Sequence, residues 1–86
     1  MNETNVILIL IDKRTDAALK VQEVLTEKGC MIKTRLGMHE TSSCAEEGLI
    51  FLNVKGSDGE VNELLEELNN IKRVKAELVK MSLPAK

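Results

Sequence analysis

Eighty-six residues, 43% of them apolar and 30% charged, suffice for one folded domain spanning 1–86 with a thin core, and are too few for a second folding unit. Twelve Lys and Arg against fourteen Asp and Glu leave a formal charge of −2, so no global positive field exists to attract nucleic-acid phosphates. Phe51 is the sole aromatic residue, which argues against base-stacking platforms and aromatic-walled substrate pockets.

The longest apolar run, Val6 to Ile11, is far too short to cross a bilayer and carries no leader-like flank, so a cytoplasmic, membrane-free location is expected. Cys30 and Cys44 are then expected as reduced thiols rather than a disulfide.

Residues 5–11 form a β-branched-rich run, too short and too uniformly apolar for a surface helix, which predicts a strand buried on both faces. Thr15 or Asp16 can cap a helix over about 15–28, with Ala17, Val21, Val24 and Leu25 as its apolar stripe and Gly29 as a left-handed stop. Residues 30–36 alternate as an edge strand does, with Met31, Lys33 and Arg35 on one side and Cys30, Ile32, Thr34 and Leu36 on the other; Cys30 is expected as a small buried filler. Residues 37–47 lack periodicity and predict a long connection.

Residues 49–54 give a second continuously apolar strand that ends at Gly56. Ser57 and Glu60 make a capping box, and Val61, Leu64, Leu65, Leu68 and Ile71 follow at helical spacing. Residues 73–83 largely alternate, predicting a fourth strand before Pro84.

The order β-α-β-β-α-β predicts an α+β, ferredoxin-like sandwich: a four-stranded antiparallel sheet in order 4-1-3-2 with both helices on one face. Charge placement agrees, since the two central strands are apolar while Lys33, Arg35, Lys75 and Glu77 sit on the predicted edges. Two helices cover one face only, so the apolar side chains on the other need a cover, and a homo-oligomer, dimer or tetramer, formed through the open sheet face is the economical one.

The first strand and its helix, Arg35-Leu36-Gly37, Leu49-Ile50-Phe51-Leu52-Asn53-Val54-Lys55 and Val74-Lys75-Ala76 resemble the iron-only hydrogenase system regulator family. That family is similar to the ligand-binding C-terminal domain of nickel-responsive regulators and, more distantly, to ACT-type amino-acid-binding domains. The resemblance implies a ligand-sensing regulatory module. Nothing before Asn5 corresponds to the ribbon-helix-helix with which nickel regulators grip DNA, so no direct nucleic-acid contact is expected. The first strand-to-helix turn, Asp12-Lys13-Arg14-Thr15, lacks the glycine or proline typical of ACT domains.

Two candidate sites follow. At Arg35 and Gly37 a guanidinium beside a glycine can hold a carboxylate or phosphate effector against exposed backbone N–H groups; the plain alternative is an edge-strand charge and a turn glycine. His39 and Cys44 combine imidazole and thiolate, a pair suited to zinc or nickel, though nickel regulators use several histidines and this chain holds one. The plain alternative there is a polar loop. Glu60, Glu63, Glu66 and Glu67 read as the solvated face of the second helix, with Glu63 and Glu67 a like-charge pair, rather than as catalytic carboxylates.

These features favour a small regulatory, ligand-sensing homo-oligomer that is not an enzyme. Two alternatives stay open: a small ferredoxin-like enzyme of the dimeric α+β barrel kind, and a pure oligomerisation or protein-docking module.

Overall fold

Alternation of side chains decides which face of each strand carries the core. In the computed structural model, which describes residues 3–38 and 47–85, strand β1 (Glu3–Asp12) buries Ile7, Ile9 and Ile11. Strand β3 (Glu47–Val54) buries Ile50, Leu52 and Val54 beside them. The intervening side chains Val6, Leu8, Leu10, Leu49 and Phe51 point to the opposite face and are partly open.

Helix α1 (Ala17–Glu27) and helix α2 (Asp58–Asn69) close the buried face with Val21, Leu25, Val61, Leu64 and Leu68. Strand β2 (Ile32–Met38) and strand β4 (Val74–Ser82) flank the central pair, giving the order β2-β3-β1-β4 with all neighbours antiparallel. This is the expected 4-1-3-2 sheet with two helices, and the capping box is present: the Ser57 hydroxyl accepts from the Glu60 N–H at 3.2 Å, and the Ser57 N–H donates to the Glu60 carboxylate at 2.9 Å.

Three local expectations are corrected. Helix α1 does not end on a left-handed Gly29, because a 3-10 turn over Gly29–Met31 carries the chain onward through a Met31 N–H bond to the Lys28 carbonyl at 2.9 Å. Among the described residues positive φ occurs only at Gly56 and Arg73. Cys30 sits in that turn, exposed rather than buried, and β2 begins two residues later than expected. A register shift between Ile32 and Thr34 then places Ile32, Arg35 and Gly37 on the helix side, paired with Val54, Leu52 and Ile50.

At its C-terminal end the second helix is clamped to the edge strand by Asn69. Asn69 Nδ2 donates to the Ala76 carbonyl at 3.0 Å while its Oδ1 accepts from the Ala76 N–H at 2.8 Å. Asn69→Ala leaves both groups of the buried Ala76 without that partner, so it is expected to lower unfolding stability by about 2 kcal/mol. An unchanged urea midpoint would show that the clamp is replaced by solvent.

Candidate functional site

Strand alternation, turn chemistry and two glycines together open a groove of about 380 Å³ between the start of α1 and the β2–β3 edge. Arg35 reaches it from β2 and donates through Nη2 to Gln22 Oε1 on α1, so the guanidinium spans from sheet to helix. Gly37 pairs with Ile50, and Gly48 pairs with Ile11, so neither places a side chain over the floor. A Cβ at Gly37 would meet nothing within 4 Å, whereas one at Gly48 would lie 3.2 Å from Lys13 Cδ. The Lys13 stem therefore packs on Gly48.

The groove lining is cationic in a chain that is net acidic. Lys13 and Arg35 both line it, and no described lining residue carries a carboxylate. Such a site favours an anionic ligand that a guanidinium fork can hold. Sequence reasoning placed Arg35 and Gly37 together, and the structure sets both in one groove. It missed Lys13 and Gln22, whose participation follows only once α1 is known to lie beside β2.

His39 and Cys44 lie outside the described residues. Among the described residues no three His, Cys, Asp or Glu side chains gather as a metal-holding group. Glu63 and Glu67, expected as a repelling pair, instead share Lys28, whose Nζ lies 2.8 Å from Glu63 Oε1 and 3.2 Å from Glu67 Oε2. Hydrogen bonds from Lys28 to Glu63 first, and to Glu67 second, hold its pKa above the usual lysine value.

Behind the groove, Asp12 organises the β1-to-α1 turn. Its carboxylate accepts from the Arg14 N–H and Nε at 3.0 Å, from Arg14 Nη2 at 3.1 Å and from Arg73 Nε at 2.9 Å. Arg73 adopts φ 68°, a left-handed conformation uncommon for a non-glycine residue, while its carbonyl accepts from the Asp12 N–H at 3.1 Å. A second hollow of about 330 Å³ lies beside this cluster, lined by Arg14, Arg73, Lys75 and Glu47 among others.

Comparison with known proteins places the fold. No protein-family model and no curated protein matches the sequence. Solved structures do resemble it. The uncharacterised protein TM1266 of Thermotoga maritima is 22% identical with a TM-score of 0.82, over 94% of this chain and 100% of that one. The ACT domain of GTP pyrophosphokinase from Chlorobium tepidum is 16% identical with a TM-score of 0.68, over 88% of this chain and 96% of that one. A formyltetrahydrofolate deformylase from Pseudomonas putida is 16% identical with a TM-score of 0.57, over 88% of this chain and 28% of that one. The chain has an ACT-like, ferredoxin-type fold.

Hydrogen bonds from the Arg14 side chain, then from the Arg14 N–H, then from Arg73 hold the Asp12 carboxyl well below the usual range. Because the folded-state value is depressed, its stabilising effect is present above the unfolded carboxylate pKa of about 3.9 and is lost as pH falls below it. Asp12→Asn is therefore expected to melt at lower temperature than the wild type at neutral pH, with the gap narrowing below about pH 4. A gap independent of pH across that window would assign the loss to packing rather than to charge.

Proposed function

We propose that this chain is a small regulatory domain that senses an anionic effector in the groove between α1 and β2, acts as a homo-oligomer and performs no catalysis itself. The observation that carries the reading is the placement of Arg35 and Lys13 in one groove that Gly37 leaves open, with no carboxylate among the described lining residues. Carboxylates and phosphates are the ligand classes that such a cationic groove recognises.

The comparisons support this reading by analogy. One neighbour is an ACT domain from GTP pyrophosphokinase, and another shares this fold over 28% of its own length within a deformylase, so the fold recurs as a part of larger enzymes. Membership of the iron-only hydrogenase system regulator type belongs to the same proposal and rests on the strand and Arg35-Leu36-Gly37 patterns. No helix among the described residues is long and apolar enough to cross a membrane. DNA contact, where the pathway needs it, is assigned to a partner protein, given the net charge of −2.

Native mass spectrometry of untagged protein identifies the retained small molecule, which calorimetry then titrates. Arg35→Ala is expected to weaken an anionic ligand at least about tenfold, the scale of one lost charge-assisted hydrogen bond. Gly37→Val should block the groove while preserving the fold, since its Cβ has open space and β-branched residues suit strands. Ligand affinity unchanged in both variants would refute the site.

His39 and Cys44 form a separate proposal, a zinc or nickel site completed by a symmetry-related chain. Titration near neutral pH should give heat that is abolished in the His39→Ala, Cys44→Ser double variant and weakened as pH falls, because both ligands must shed protons. Absence of heat in the wild type returns both residues to an ordinary loop.

A further inference from the structure

On the sheet face away from the helices, strand pairing aligns the side chains in rows. One row runs Leu49, Leu10, Lys75 across β3, β1 and β4, and the next runs Leu36, Phe51, Leu8, Glu77 from β2 to β4. Leu8, Leu10, Leu49, Lys75 and Glu77 together line a dent of about 230 Å³ there, which confirms that they share the face. Leu10, Leu36 and Met81 are 43%, 55% and 59% exposed, so a continuous aliphatic surface lies open in the single chain.

Charge on this surface is specific. Lys75 and Glu77 stand on the same face of β4, about 6.6 Å apart along the strand. Among the described residues neither makes an ion pair or a side-chain hydrogen bond, although Lys28, Lys80, Arg14 and Arg73 all do. Each charge thus borders the apolar patch without a partner of its own.

The geometry points to a second copy of this chain as the occupant, docked face to face about a two-fold axis that lies between the sheets, perpendicular to the strands and between the two rows. That single operation sets Leu8 over the partner subunit's Leu10, Phe51 over the partner subunit's Leu49 and Glu77 over the partner subunit's Lys75. Every contact is then made twice, apolar on apolar and cation on anion. Moving the axis by one row toward Val6 and Val79 would set Glu77 against a valine and Lys75 against Met81, burying both charges unpaired. Sheets stacked about 10 Å apart leave room for a lysine and a glutamate to meet.

The footprint, four strands by about seven residues, comes to about 450 Å² per copy. This lies below the roughly 800 Å² per partner of a standard interface, so the dimer is a weak one and the two reciprocal ion pairs decide whether it forms. The inference rests on the reading of the chain as self-associating, and adds the surface, the symmetry and the residues that set its register.

Mixing charge variants of the full chain tests it. Lys75→Glu makes both positions acidic and Glu77→Lys makes both basic; each alone should raise the dissociation constant at least about tenfold through like-charge contacts. An equimolar mixture of the two should recover association, because the hetero-pair restores opposite charges at every contact. Both sites are exposed on an edge strand, and circular dichroism with urea unfolding verifies that each variant folds. Light scattering and sedimentation read the result. A wild-type mass of one chain at tens of micromolar overturns both the interface and the self-association reading. Association that survives in each variant, or that the mixture fails to recover, overturns this interface and leaves self-association and the anion groove standing, since groove binding is measured separately by calorimetry.

Discussion

Two central strands that are apolar on both faces, with the two helices of the described residues covering one of those faces, set the terms for this molecule. Ile7, Ile9 and Ile11 of β1 and Ile50, Leu52 and Val54 of β3 satisfy α1 and α2 completely. Among the described residues no further helix covers Val6, Leu8, Leu10, Leu49 and Phe51, which the same two strands present to the other side. Aliphatic surface of this extent stabilises only when removed from water. In the proposed dimer the fold is half of a sandwich, and the charges at the border of its open face are the features that would set how the halves meet.

Polar side chains perform the complementary task of fixing the edges. Asn69 stitches α2 to β4 through both backbone groups of Ala76, and Lys80 reaches Asp58 at the start of the same helix at 2.7 Å. Lys28 joins the end of α1 to Glu63 and Glu67 of α2. Arg73 binds the start of β4 to Asp12 at the end of β1. Surface ion pairs each contribute little to stability, but these connect elements far apart in sequence and so restrict the relative placement of helices and edge strands. The groove inherits its shape from that placement, because its walls come from α1, β2 and β3.

Aliphatic periodicity and turn chemistry made the four strands, two helices and sheet order legible, since each rests on a repeating pattern that burial enforces. The Ser57–Glu60 capping box was legible for the same local reason. What escaped the sequence depended on single-residue displacement. The 3-10 turn at Gly29–Met31 delayed β2, and the shift between Ile32 and Thr34 decided that Arg35 turns toward α1. Period-two alternation cannot show such a slip. Of the candidate site, Arg35 and Gly37 were readable as chemistry, whereas Lys13 and Gln22 became part of it only through the packing of α1 beside β2. The sharing of Lys28 between two glutamates was hidden too, because its partners lie 35 and 39 residues away.

The departure of the first turn from the ACT pattern now has a physical consequence for where an effector can be held. In Asp12-Lys13-Arg14-Thr15 the Asp12 carbonyl accepts from the Thr15 hydroxyl at 2.9 Å and from the Thr15 N–H at 3.3 Å. The Arg14 N–H is committed to the Asp12 carboxylate, and the Thr15 hydroxyl also accepts from the Ala17 N–H at 3.1 Å. These groups would have to be broken from existing partners before a ligand could approach the turn backbone, at the cost of leaving donors unsatisfied. On the far side of Lys13 a ligand need not reach for the turn backbone, because Gly37 leaves open space beside Arg35, whose guanidinium supplies the charge. In the proposed reading, recognition is therefore displaced from the turn itself to the groove that the turn borders, with Lys13 as the residue of the turn that lines it.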